Sequence, residues 1–207
     1  MPAVAIIPVK SFAVGKQRLA GALDPGRRAA LARGLADHVA TTVSDAGTMP
    51  LIVTADARVA EWATRAGFPS VADPGVGLDA AASAGVAWAD QAGSHWLVLH
   101  ADLPLIGAED IAALSRAMED GPVIAPSSDG GTSAIGTRGH RDFSFGPASF
   151  HRHLKMLPDA RIVTRPGLLL DVDSRSDLEA AMSTPEGSWI RDLIGRWEPG
   201  TAGQNLY

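Results

Sequence analysis

Short apolar runs of strand length alternate along this chain with stretches whose apolar residues recur at helical spacing, and that alternation limits the fold more than anything else. Val4-Ala5-Ile6-Ile7-Pro8-Val9, Leu51-Ile52-Val53-Thr54, His95-Trp96-Leu97-Val98-Leu99 and Pro122-Val123-Ile124-Ala125-Pro126 offer little polar face. Each reads as a strand covered on both sides. Between the first two, Asp24-Pro25 supplies an N-cap acid and a proline for a first turn, and Leu31, Leu35, Val39 and Val43 continue the helix. Arg58 to Ala66, ended by Gly67, reads as a second helix, with Leu78 to Ala92 and Glu109 to Met118 as later ones. Ser70-Val71-Ala72 reads as a short extended piece. Strand, helix, strand in repetition predicts an α/β fold, a three-layer α/β/α sandwich around a mostly parallel sheet.

Beyond Ser127 the texture changes. Ser127 to Thr132 reads as a loop, Ser133 to Thr137 as a strand, Phe143 to Ser149 as irregular and Phe150 to Leu157 as a helix. Arg161 to Thr164 and Leu168 to Asp173 read as late strands, and Ser176 to Met182 as a helix capped by Ser174 or Ser176. Residues 1–184 are expected to form one domain. Residues 185–207 read as a C-terminal extension in which Trp189, Ile190, Leu193, Ile194 and Trp197 keep helical spacing. That spacing suits a short helix docked on the body or on a second subunit, so a homodimer is open.

With 207 residues, 46% of them hydrophobic and 20% charged, one soluble domain of ordinary size is expected. A net charge of -5 argues against a nucleic-acid polymer as partner. The absence of cysteine removes disulfides, thiolate zinc sites and cysteine nucleophiles. No signal peptide and no membrane-spanning run is visible, so a cytoplasmic location away from membranes is the expectation.

Several constellations could carry chemistry. Asp102 follows the Trp96 run, at the carboxyl end of an expected central strand, the edge where open α/β sheets bind ligands. A carboxylate there can hold a divalent cation and through it a phosphate; it can equally be a cap or turn acid. The loop after the first strand carries Lys10, Lys16 and Arg18 with Gly15 beside the second. It lacks the P-loop spacing, but can wrap a triphosphate, or be a solvated basic turn. Asp171 and Asp173 share a face if the backbone is extended, and two acids facing one way call for a cation or base between them. With Asp102 they could make one magnesium site. Gly130-Gly131-Thr132 and Phe145-Gly146-Pro147-Ala148-Ser149-Phe150 look like a pocket for a small phosphate or carboxylate, or a turn and a helix cap. His151 and His153 do not share a helix face, so no zinc site is expected, and His100 has no assigned role. The Trp residues read as packing.

The order of these motifs is specific. Val9-Lys10, Lys16-x-Arg18-Leu19, Ala101-Asp102-Leu103-Pro104, Gly130-Gly131-Thr132, Phe145-Gly146-Pro147-x-Ser149-Phe150 with His153, and Asp171-Val172-Asp173 with Asp177-Leu178 together resemble the 2-phospho-L-lactate or phosphoenolpyruvate guanylyltransferases of coenzyme F-420 biosynthesis. The resemblance spans about residues 4–182. It implies a Rossmann-like nucleotidyltransferase fold of the glycosyltransferase-A type, related to the molybdopterin guanylyltransferases. It implies transfer of GMP from GTP to a small phosphorylated acid with release of pyrophosphate. It further implies Mg2+ at Asp102, Asp171 and Asp173, catalytic Lys10, Lys16, Arg18 and Asp102, and an acceptor held by Thr132, Gly146 and Ser149. Lys10, Lys16 and Arg18 would hold the triphosphate. Asp79 stands in Gly77-Leu78-Asp79-Ala80 where relatives commonly have Asn, which bears on nucleotide preference if that position reads base or ribose. The strip from Gly136 to Ser144 is more polar than expected, which bears on the acceptor pocket. A molybdopterin-type nucleotidyltransferase lacks support because its fuller Gly-rich loop is absent. A non-catalytic nucleotide-binding module predicts damaged charged positions, yet all of them are present.

Overall fold

The computed structural model describes residues 3–195. Strands β1 (Val4–Pro8), β2 (Met49–Thr54), β3 (Ser70–Ala72), β4 (Trp96–Leu99), β5 (Val123–Pro126), β6 (Thr132–Thr137) and β7 (Arg161–Ile162) form one sheet in the order β3-β2-β1-β4-β6-β5-β7. The neighbours run parallel except around β6, which is antiparallel to both β4 and β5. The expected α/β class and mostly parallel sheet are therefore observed.

The continuous apolar strands follow from burial on both faces. Along β1, Ala5 and Ile7 face one layer and Val4 and Ile6 the other, all essentially inaccessible. The first layer is built by α1 (Pro25–Asp45), α2 (Ala57–Arg65) and α4 (Ala108–Met118). The second is built mainly by α3 (Leu78–Gln91), with Leu157 just beyond α5 (Ser149–Met156) joining it. α3 lies very close to the sheet because Gly85 has no side chain: a Cβ there would sit 2.3 Å from Ile6 Cγ2. α1 starts as its sequence dictates, with Asp24 accepting from the Arg27 N–H at 2.9 Å and Pro25 in the first turn.

The apolar run at Leu168 is a correction. Instead of a strand from Leu168 to Asp173, the chain forms a one-turn helix, α6 (Pro166–Leu169), and then an unpaired extended stretch. Pro166 starts the turn, and Leu168 enters the core from it. Three consecutive leucines fill a buried helical turn as readily as a strand.

The C-terminal elements α7 (Arg175–Met182) and α8 (Trp189–Ile194) close the body. Ile190 and Ile194 pack with Leu31 and Leu35 of α1 and with Leu178 and Met182 of α7. Leu193 rests on Gly34, where a Cβ would meet its Cδ2 at 2.3 Å. The expected docking helix thus sits on the same chain. Trp197 and the remainder of the extension lie outside the described residues.

Ile190 is inaccessible and central to that third cluster. Ile190→Ala should cost about 2–4 kcal/mol in urea unfolding, the usual loss for a buried Ile truncated to Ala. A loss near zero would show that α8 is not part of the cooperative unit.

Candidate active site

β1 and β4 are parallel neighbours, so the loops that leave their carboxyl ends lie on one edge of the sheet. One loop carries Lys10, Lys16 and Arg18; the other carries His100 and Asp102. Between them and the extended stretch after α6 lies a cavity of about 800 Å3. Its wall includes Lys10, Lys16, Arg18, Asp102, Asp171 and Asp173. Six of the positions singled out in the sequence, from three separate segments, are thereby brought together.

The stretch bearing Asp171 and Asp173 is fixed by few contacts. The Val172 N–H donates to the Asp102 carbonyl at 3.1 Å, and the Val172 side chain is inaccessible. That orientation turns both acids to the cavity, as alternation predicts even without a ladder. Asp177 Oδ2 accepts from the backbone N–H groups of Asp173 (3.1 Å) and Ser174 (2.6 Å), so the capping box of α7 holds the end of the stretch. At its other end Arg165 pairs with the buried Asp110 of α4. Gly167 lies so close that a Cβ would meet Asp110 Oδ2 at 2.0 Å.

Lys16 is the cation at the centre. Its Nζ lies 2.6 Å from Asp102 Oδ2 and 3.3 Å from Asp173 Oδ1. Arg18 reaches Asp173 from outside at 3.8 Å. Burial alone would lower the Lys16 pKa, but Asp102 and Asp173 outweigh it and the value is raised. Burial pushes the Asp102 carboxyl up, yet Lys16 and then His100 hold it below the usual range. Asp171 has no such partner among the described residues: burial, then the charges of Asp102 and Asp129, raise its pKa to about 6. Among the described residues the only non-glycine positions with positive φ are Lys16 (φ 55) and Ala148 (φ 54), one in the cation loop and one just before Ser149. Backbone strain of this kind, on the order of 1 kcal/mol each, clusters at ligand sites.

Thr132, Gly146 and Ser149 form a second cluster, separate from the wall of the cavity. Thr132 and Ser149 are buried, while Gly146 (φ 106) is exposed in the turn before α5. The link is aromatic: the His100 ring lies 5.7 Å from Phe145, and Phe145 lies 4.8 Å from His153. His153 explains the direction of the hydroxyls. The Ser144 N–H donates to its Nε2 at 2.9 Å, so a neutral ring carries its proton on Nδ1 and donates to Thr132 Oγ1, also at 2.9 Å. Ser149 Oγ donates to the same oxygen at 3.2 Å. Both acceptor positions of Thr132 are then filled, leaving its own hydrogen to point elsewhere. Arg152 clamps the loop by donating to the carbonyls of Ser144 and Phe145 at 2.8 and 3.0 Å.

Asp79 lies in the first turn of α3, outside the cavity wall, and its Oδ1 accepts from the Phe145 N–H at 2.8 Å. It ties the start of α3 to the loop before Ser149. Sequence reasoning gave no role to His100 and only a motif position to His153. Both carried a readable signal: His100 stands two residues before Asp102 in the turn that leaves β4, and Ser149 and His153 are four apart on one helix face.

A family model described as "Guanylyl transferase CofC like" matches residues 3–194. The phosphoenolpyruvate guanylyltransferase of Rubrobacter xylanophilus is 37% identical over 189 residues, covering 86% of this chain and 92% of that protein. The 2-phospho-L-lactate guanylyltransferase of Methanothermobacter thermautotrophicus is 27% identical over 201 residues, covering 94% and 90%. Among solved structures, a candidate nucleotide-diphospho-sugar transferase from Desulfovibrio desulfuricans G20 superposes with a TM-score of 0.71 at 18% identity, covering 94% of this chain and 97% of that one. At that identity the likeness concerns the fold alone.

His153 has no accessible surface, and burial lowers its pKa from 6.5 to about 4, with Asp79 opposing the shift and Arg152 and His100 assisting it. The unfolded chain therefore binds a proton between these values that the folded protein does not. Stability from this residue is complete above pH 6.5 and is lost as pH falls toward 4, by roughly 3 kcal/mol. Urea unfolding across this range should show wild type losing about that much more than His153→Gln. Parallel curves for the two proteins would contradict a buried neutral imidazole.

Proposed function

Since the chain belongs to the CofC-like guanylyl transferase family, we propose that it transfers GMP from GTP to the phosphate of a small phosphorylated carboxylic acid, releasing pyrophosphate, as a step of coenzyme F-420 biosynthesis. Phosphoenolpyruvate is the acceptor favoured, because the relative named for it is 37% identical and the one named for 2-phospho-L-lactate 27%. The observation that carries the reading is the cavity at the carboxyl edge of β1 and β4, where Lys16 is wedged between Asp102 and Asp173.

The reaction needs little proton chemistry. An acceptor phosphate is already anionic at neutral pH, so one of its oxygens can attack the α-phosphorus of GTP without a general base. A phosphorus–oxygen bond forms there while the bond from the α-phosphorus to the bridging oxygen breaks, and its electron pair leaves with pyrophosphate. What the protein must supply is alignment and charge neutralisation. Lys10 and Arg18 are exposed in the cavity wall, placed to take triphosphate oxygens. Lys16 holds the Asp102 and Asp173 carboxylates in fixed directions. Thr132 and Ser149, with Gly146 leaving the backbone open, would receive the acceptor at the start of α5, where N–H groups favour an anion.

The carboxylates also fit a divalent cation. Three acids face the cavity around one lysine, and the raised pKa of Asp171 marks negative charge left uncompensated. An all-oxygen set of this kind suits Mg2+. Asp102, Asp171 and Asp173 would hold it, and it would supply charge neutralisation to the α-phosphate and the leaving pyrophosphate. Asp79, tied to Phe145, is read as supporting the nucleotide side of α3 against the acceptor loop.

Pyrophosphate release should be measured with Mg2+, four nucleoside triphosphates and phosphoenolpyruvate, 2-phospho-L-lactate or 3-phosphoglycerate. GTP with phosphoenolpyruvate should give the signal, and Thr132→Val, which removes the hydroxyl hydrogen left free in this cluster, should raise the acceptor KM about tenfold, as when one hydrogen bond to an anion is lost, with little change for GTP. A blank grid from folded protein, or equal effects on both substrates, would contradict the reading.

A further inference from the structure

The carboxylate oxygens of Asp102 divide their work. Oδ2 is taken by Lys16, while Oδ1 faces the His100 ring, with Nδ1 at 4.0 Å. His100, Asp102 and Asp171 each present a ligand atom, all within 4.8 Å of one another. Asp173 is drawn instead toward Lys16 and Arg18. Two ligands held about 2.1 Å from one ion stand roughly 3 to 4 Å apart, so Nδ1 and Oδ1 are already spaced to share one. The imidazole is otherwise unclaimed. Its side chain is 23% exposed, no hydrogen bond to it occurs among the described residues, and its Nε2 is buried without a partner. An imidazole this enclosed normally has at least one nitrogen satisfied.

We propose that His100 supplies a nitrogen ligand to the cation held by Asp102 and Asp171, making a mixed nitrogen–oxygen site that favours Mn2+ over Mg2+. The inference rests on the divalent-cation reading above and revises it: His100 takes the ligand place given there to Asp173, which pairs with Lys16 and Arg18, and a metal preference follows. Imidazole nitrogen binds first-row transition ions better than it binds Mg2+, which takes oxygen almost exclusively and gives up its water reluctantly. The geometry also separates two positive charges. Lys16 sits between Asp102 and Asp173, and the cation sits on the other side of Asp102, toward Asp171. Asp102 serves both without either displacing the other.

The test uses the full chain and Mn2+ itself as probe, without nucleotide. Pulsed electron paramagnetic resonance of the Mn2+-loaded protein should show modulation from a directly bound 14N nucleus. Titration of free Mn2+ should give a dissociation constant at least tenfold below that of Mg2+. In both His100→Gln and His100→Asn the nitrogen signal should vanish, and Mn2+ binding should weaken by about tenfold or more, the scale on which loss of a metal-site partner acts. Mg2+ binding should change by less than about threefold, and two variants guard against one failing to fold. Mn2+ bound with no 14N modulation, or a nitrogen signal that survives both substitutions, would overturn the role of His100 while leaving a cation site in place. No Mn2+ or Mg2+ bound by wild type, or undiminished Mn2+ binding by Asp171→Asn, would overturn the cation reading itself, and this inference with it.

Discussion

The contact between Lys16 and Asp102 is the interaction on which the rest of the site depends. It joins residues 86 apart in the chain across two parallel strands, at 2.6 Å, with side chains 10% and 23% exposed. An enclosed carboxylate is costly unless a cation or a set of donors meets it, and here the cation comes from a loop whose backbone adopts a left-handed conformation to deliver it. The backbone carbonyl of the same residue receives the Val172 N–H and so draws Asp171 and Asp173 to the cavity. Fold and function meet in one residue: Asp102 positions Asp171 and Asp173, and all three confront the loop that bears the cations.

Support for this arrangement is spread through the outer elements. The first-turn acid of α4, Asp110, is buried and holds both the Gly107 N–H and Arg165, which fixes the turn leading to Asp171. The box at the start of α7 fixes Asp173. α1 begins just after the cation loop and is covered by α8, so the C-terminal helix braces the loop from behind. At the Thr132 cluster the hydroxyls are aimed by a neutral imidazole and the loop is clamped by Arg152 and Asp79. Both halves hold their side chains through such contacts, which suits a reaction that asks for alignment more than for proton transfer.

Much of this was legible in the sequence, for identifiable reasons. Continuous apolar strands such as Trp96 to Leu99 signal burial on both faces, and an acid directly after such a strand falls on the ligand-binding edge. Short motifs in a fixed order identified the family although each alone is weak. The Leu168 run was misread because three leucines carry no period, and the turn that resolves it depends on Pro166 and on the tertiary contact of Gly167 with Asp110. The antiparallel direction of β6 was equally hidden, since strand direction is set by pairing and not by composition. His100 was passed over because only the fold brings it to Asp171, and His153 because its partner Thr132 lies on another element. Asp79 stood out as a departure from relatives, but only the fold links it to Phe145.

The central claim is that an anionic acceptor attacks the α-phosphorus in line, in one step, held by charged groups and with no covalent nucleotidyl-protein species. The most direct measurement is the stereochemical course at that phosphorus, using GTP made chiral at the α-position by one sulfur and following the configuration of the guanylylated product. A single in-line displacement predicts inversion. Retention would require two displacements through a side-chain nucleophile and would contradict the account.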